Sequence, residues 1–102
     1  ADTVKLTFDT YWAIAGGVDP ARYITERADR IYCTHLKDMA VVNDAQVMIE
    51  VLDGNINVDA IIAASIASGI EWHFVEQDVV RIDLFESMKR SYDNLTARYA
   101  FN

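Results

Sequence analysis

The sequence contains one cysteine, one proline and four glycines in 102 residues. Cys33 alone cannot close a disulfide within the chain, and a free thiol inside an apolar run is expected to be buried. So few glycines and prolines exclude collagen-like and low-complexity classes, and they confine turns to a few marked places. Basic residues are also scarce: nine Lys and Arg stand against sixteen Asp and Glu, a formal charge of −7 with no basic cluster. Such a field repels a phosphate backbone, so nucleic acid is not expected as a partner. No apolar run approaches the roughly 18 residues that span a bilayer, and the first residues have neither the basic nor the apolar part of a secretory signal. No membrane partner is expected, and the cytoplasm is the expected location. What is present, 52% hydrophobic and 25% charged residues, suits a chain that folds around a core. Residues 1–102 read as a single domain.

Three apolar, β-rich runs stand out: Val4 to Phe8, Ile31 to Leu36 and Ile70 to Val75. Each leads into a polar or acidic cluster and then a helical pattern, so strand, loop and helix recur three times. Parallel neighbours cannot be joined by tight turns, which makes this α/β architecture with helical crossovers. Asp19-Pro20 predicts a helix from an N-cap and a first-turn proline through Ile24 to about Ala28. A second helix is expected from Asn57, with Val58, Ile61, Ile62 and Ile66 on one face, to a stop at Gly69. A third opens on Asp83 and Glu86 in capping-box spacing, and its stripe of Phe85, Met88, Tyr92, Leu95 and Tyr99 is expected to face the core. The long link from Lys37 to Ile56 contains an alternating stretch, Val47 to Val51, that reads as either a short extra strand or an active-site loop.

Ligands of parallel α/β folds bind beyond the carboxyl ends of the strands, where loops and helix N-termini converge. The first strand ends in Phe8-Asp9-Thr10-Tyr11-Trp12, the second in His35-Leu36-Lys37-Asp38 and the third in Glu76-Gln77-Asp78. Every strand therefore delivers an ionisable, metal-competent group to one rim. Asp9, His35 and Glu76 form a mixed oxygen and nitrogen set suited to Mn, Co, Zn or Mg, without a thiolate to favour a structural zinc site. Tyr11 and Trp12 read equally as packing residues and as an apolar wall for a substrate. His73, inside the third strand, reads as structural. Asp38 and Asp78 read either as groups that orient the metal-bound His and Glu or as solvated side chains.

The segments from Phe8 to Pro20 (FDTYWAIAGGVDP), Arg30 to Asp38 (RIYCTHLKD), Asp53 to Asn57 (DGNIN) and Val75 to Asp78 (VEQD) resemble the xylose-isomerase-like sugar-phosphate isomerase/epimerase family. The resemblance covers nearly the whole chain and matches the last three units of a (β/α)8 TIM barrel, a carboxyl-terminal portion. It implies one divalent metal held by Glu, Asp, His and Glu at the barrel mouth, with Asp9, His35 and Glu76 matching the second, third and fourth ligands. It further implies that Glu76 exchanges a proton at the carbon beside a sugar carbonyl; Lys37 reads either as a group that stabilises charge or holds a substrate oxygen or as a solvated strand-end lysine.

Where many members of that family carry His three residues after the Asp, this sequence has Trp12, and the Gly-x-Gly of the long loop reads Leu52-Asp53-Gly54. The absent His, together with the absence of an Asp-x-His pair in that loop, argues against a multi-zinc abasic-site endonuclease. The first metal-binding Glu of the resemblance is absent, and three strands cannot close a barrel. The expected state is a homo-oligomer or a complex with a complementing amino-terminal half-barrel. Three readings of function stay open. The first is part of a metal-dependent isomerase or epimerase of a sugar or sugar phosphate, the second a non-catalytic structural or interaction fragment of that fold, and the third a dehydratase acting on inositol-like ketones.

Overall fold

The computed structural model describes residues 3–101. Its elements run β1 (Leu6–Asp9), α1 (Thr10–Ala15), α2 (Pro20–Glu26), β2 (Ile31–Leu36), β3 (Asp38–Val42), β4 (Ala45–Ile49), α3 (Val58–Ala67), β5 (Trp72–Val75) and α4 (Leu84–Arg98). β1, β2 and β5 form one parallel sheet with β2 in the centre, so each crossover carries a helix, as the alternation of apolar runs requires. Asp9 lies opposite His35, and His35 opposite Phe74. The Glu76 N–H donates to the Leu36 carbonyl and carries the ladder one step past β5. The sheet is open at both sides and does not close into a barrel.

One face of the sheet packs on α2 and α3. Ile24, Ile31, Leu36, Val58, Ile61, Ile62 and Ile70 form the buried core with Val51 and Leu95, and Leu6, Phe8 and Val75 lie against it. Phe8 stacks on Tyr23 of α2 with ring centroids 4.9 Å apart. Burying each branched aliphatic side chain of this set contributes about 1.5–3 kcal/mol. The opposite face carries Thr7, Cys33, His35, Trp72 and Phe74 by strand alternation. Cys33 is buried, as expected of a free thiol, with its sulfur 3.4 Å from the Thr7 hydroxyl.

The expected helix starts hold. Asp19, Asn57 and Asp83 each accept a backbone N–H as N-caps, and Gly69 has the left-handed φ of 74° that ends a helix. α2 stops at Glu26, two residues before the expected end.

Four features refine or depart from the sequence reading. α1 begins directly at the end of β1, because Asp9 caps it by accepting the Trp12 N–H at 3.0 Å. The long link is a two-stranded antiparallel hairpin, β3 with β4, turned by Asn43 and Asp44 at φ 51° and 63°, the paired left-handed conformation of a type I′ turn. Ile66 is 72% exposed, since it lies about 80° round the helix from Val58 while Ser65 occupies the inner position.

The apolar stripe of α4 divides: Leu95 is buried in the core and Tyr99 packs against it as expected, whereas Phe85 is 85% exposed, Met88 and Tyr92 are exposed too, and Ser87 and Ser91 take the buried positions. Polar contacts set that rotation. The Ser91 hydroxyl accepts the Val51 N–H, Asn94 donates to the Val51 carbonyl and Ser87 donates to the Glu50 carboxylate. Leaving those groups of the 50–53 loop unpaired would cost about 1–3 kcal/mol each, enough to turn the helix.

Candidate functional site

The rim at the carboxyl ends of β1, β2 and β5 holds the residues singled out from the sequence. Asp9 divides its two oxygens. One caps α1, and the other meets the Lys37 ammonium at 2.8 Å. His35 directs Nδ1 at the same space, 2.7 Å from Glu76 Oε2 and 3.6 Å from Asp9 Oδ2. Glu76 also lies 3.5 Å from Lys37 through Oε1. Asp9, His35, Lys37 and Glu76 are thus brought together by three adjacent parallel strands, although up to 67 residues of sequence separate them.

Lys37 is the most enclosed member, with a side chain only 3% exposed. Its backbone is pinned from β1's end: its N–H donates to the Thr10 hydroxyl at 2.9 Å, and that hydroxyl donates back to the Lys37 carbonyl at 2.8 Å. Its ammonium completes a third contact, 2.8 Å to Asp78 Oδ1. Burial by itself lowers the pKa of this ammonium, but hydrogen bonds to Asp78 and Asp9 outweigh it and hold the group above its ordinary value. The same hydrogen bond from Lys37 holds the Asp78 carboxyl below the usual carboxylate range against the opposing effect of burial. The second oxygen of Asp78 accepts the Trp12 indole N–H at 3.1 Å.

Asp78 is therefore a member of the cluster, in line with the first of the two readings its position offered. Asp38 is not. It is fully buried, and its carboxylate accepts four backbone N–H groups, from Met39, Leu52, Gly54 and Ile56, at 2.8–3.1 Å. It ties the loop after β4 to the start of β3. A Cβ at Gly54 would collide with the Asp38 carboxylate and the Met39 carbonyl, so this close approach requires glycine. Leu52 sits at φ 75°, a left-handed conformation that costs a non-glycine residue about 1–2 kcal/mol.

Beside the cluster a groove of about 370 Å³ lies between α1, β4 and the segment after β5. Trp12, Met48 and Val79 give it an apolar wall, while Gln46, Asp78 and Arg81 line it with polar groups. Trp12 is 52% exposed and lines this groove. Tyr11 is buried and also lines this groove, its hydroxyl accepting from the Gln46 side-chain amide at 3.3 Å. Gln46 and Met48 come from the hairpin that was not resolved into strands from the sequence. His73 points to the other face of the sheet and shares a 2.7 Å hydrogen bond with Thr34, and burial lowers its pKa, as suits a structural histidine.

Among the described residues, no group of three or more His, Cys, Asp and Glu side chains stands ready as a metal shell. The donor chemistry nonetheless fits a hard or borderline divalent ion. Adjacent donors around such an ion stand roughly 3.0–3.4 Å apart for bonds near 2.1 Å, and the His35 distances to Glu76 and Asp9, 2.7 and 3.6 Å, bracket that range. A cation, the Lys37 ammonium, already lies against the oxygens of Asp9 and Glu76.

The fold class is an α/β arrangement of parallel strands and helices that leaves the barrel open. Within that class the chain matches solved structures of sugar phosphate isomerase/epimerases. One from Parabacteroides distasonis is 30% identical with a TM-score of 0.70, covering 89% of this chain and 30% of that one. A second from the same organism is 26% identical with a TM-score of 0.77, covering 95% of this chain and 32% of that one. The resemblance read from the sequence is thereby borne out, and the chain spans about a third of the length of those relatives. No protein-family model and no curated protein matches the sequence. No helix of the described residues is long and apolar enough to cross a membrane.

Proposed function

We propose that the chain is part of a divalent-metal-dependent isomerase or epimerase of a sugar or sugar phosphate, acting by proton transfer at the carbon next to a carbonyl. The observation that carries this reading is the convergence of Asp9, His35 and Glu76 from three adjacent strands, with the His35 Nδ1 within 3.6 Å of both carboxylates. Those three residues would hold Mn, Co, Zn or Mg. Such an ion, when bound, supplies polarisation of the carbonyl and stabilises the oxyanion that proton removal creates.

The residues of the chain divide the remaining work. Glu76 is the most solvent-accessible of the three and faces the open rim, so its carboxylate can take a proton from carbon and return it. In the metal-free chain the His35 Nδ1–H donates to Glu76 Oε2 and so fixes the orientation of that carboxylate. The exposed face of Trp12 forms the wall on which a sugar ring stacks, and Arg81 and Gln46 at the groove offer donors to hydroxyl or phosphate oxygens. Lys37 holds Asp9 and Asp78 and supplies positive charge beside the reacting atoms.

Titration calorimetry with Mn2+ or Co2+ on the chain and on His35→Ala tests the metal claim. The expected result is binding by the former and its loss in the latter. Equal heats for the two remove the claim.

The second reading, an interaction module of this fold, draws on a different observation. Phe85, Tyr92 and Leu84 of α4 and Trp72 and Phe74 of the sheet leave large apolar surfaces in solvent. A second copy or a complementing half-barrel would cover them and add the missing carboxylate donor. Sedimentation at tens of micromolar, paired with an isomerisation assay, separates the two. A discrete oligomer without turnover favours the module, and turnover favours the enzyme.

A further inference from the structure

The metal reading does not say how Lys37 and a divalent ion share the same carboxylates. A lysine that only bound substrate would reach into the groove, but this one is turned inward and touches three carboxylates, at 2.8 Å from Asp9, 2.8 Å from Asp78 and 3.5 Å from Glu76. Two of those carboxylates belong to the proposed metal set. The third does not, and it is held from behind by the Trp12 indole.

Resting on the metal reading, we propose that Lys37 is a built-in counter-cation: it keeps Asp9, Glu76 and Asp78 assembled in the metal-free chain, competes with the divalent ion for Asp9, and withdraws to Asp78 when that ion binds. Charge balance supports the exchange. Three carboxylates and one ammonium leave two negative charges, which a divalent ion neutralises with Lys37 still present. Geometry supports it as well. The Lys37 backbone is locked on both sides by Thr10, so the side chain can change partners without moving β2. Asp78 offers an oxygen at the same 2.8 Å distance as Asp9, and Trp12 fixes that carboxylate in place to receive the ammonium. Lys37 is then a positioning residue of the site and sets how tightly, and not merely whether, a metal is held.

Removing the ammonium must strengthen metal binding, whereas a purely structural lysine would weaken it when lost. Calorimetry with Mn2+ is expected to give Lys37→Met a dissociation constant at least about tenfold below that of the unsubstituted chain, because a positive charge a few ångströms from the ion has gone. In the same comparison Mn2+ raises the melting temperature of Lys37→Met by more than that of the unsubstituted chain. Asp78→Asn, which removes the retreat, weakens Mn2+ binding several-fold in the unsubstituted chain but has a clearly smaller effect beside Lys37→Met.

If circular dichroism shows Lys37→Met unfolded, Lys37→Gln carries the same expectation. Mn2+ binding that His35→Ala abolishes, with neither lysine variant tighter, overturns this inference and leaves the metal reading standing. An equal effect of Asp78→Asn in both backgrounds also overturns it. Absence of Mn2+ binding in the unsubstituted chain and in both lysine variants overturns the two together.

Discussion

Lys37 and Asp38 are neighbours in sequence and centres of two unlike polar regions. Around Asp38 every partner is a backbone amide, and the carboxylate is wholly enclosed. Around Lys37 every side-chain partner is another ionisable side chain, and those partners reach solvent. Backbone donors cannot leave without unfolding the loop, so the first region is a fixed staple. Side chains can exchange partners at little cost, so the second can admit a ligand. Burial of charge alone does not tell the two regions apart, whereas the groups that satisfy it do.

The largest expected effect breaks the staple. Gly54→Ala forces a Cβ into the Asp38 carboxylate, and Asp38→Ala strands four buried N–H groups. Each should cost about 3 kcal/mol or more, and urea melts should show a matching loss of midpoint. A loss under about 1 kcal/mol for both would put the two regions on the same footing. Next comes the metal-free Lys37→Met chain, which leaves Asp9, Asp78 and Glu76 facing one another. Partial exposure of these acids reduces the roughly 3–5 kcal/mol typical of a broken buried pair, so a loss of about 2 kcal/mol is expected.

The pH dependence sharpens the comparison further. The Lys37 ammonium is held above its ordinary value, and the Tyr99 phenol is pushed up to about 12, by burial first and then by its hydrogen bond to Asp59. In both cases the protonated form is favoured by folding, so the stability is complete below about pH 10 and is lost as pH rises through the folded values. Asp78 works in the opposite direction, because its lowered pKa contributes stability above the ordinary carboxylate range that disappears as pH falls through the lowered value. Melting curves across the alkaline range should fall from about pH 10, and phenolate absorbance should show one tyrosine ionising near 12 that Asp59→Asn brings down. The smallest effect lies on α4: Phe85→Ser should change the stability of an isolated chain by no more than about 0.5 kcal/mol, since its ring is already in water. A larger loss, or a change of sedimentation coefficient, would show that this face is covered.

The parallel sheet, its strand order of appearance and the helix caps were legible because they depend on local signals: apolar runs, Asp or Asn before a helix, and a glycine after one. The convergence of Asp9, His35 and Glu76 was legible because parallel strands present their carboxyl ends to one rim. The exposure of Phe85, Met88 and Tyr92 on α4 was not, although Leu95 and Tyr99 meet the core as the stripe required, because hydrogen bonds that Ser87, Ser91 and Asn94 make with the 50–53 loop help fix its rotation. The extra strand was one open reading of the 47–51 alternation, but its pairing with β3 was not legible because Asn43-Asp44 is a less common type I′ pair than one containing glycine. Nor could the separate fates of Lys37 and Asp38 be read, since adjacent residues turn to opposite sides only once the strand has a place in the sheet.

The register of β1 against β2 contains one residue without a counterpart. Leu6 pairs with Ile31 and Thr7 with Cys33, so Tyr32 stands outside the ladder and in solvent. A spare unit at this point lies upstream of the rim and between two correctly matched pairs. Cutting it out would shorten the strand while Ile31 stays toward the helices and His35 stays beside Asp9. The rim that gathers Asp9, His35 and Glu76 is thus insulated from a change of length at its base.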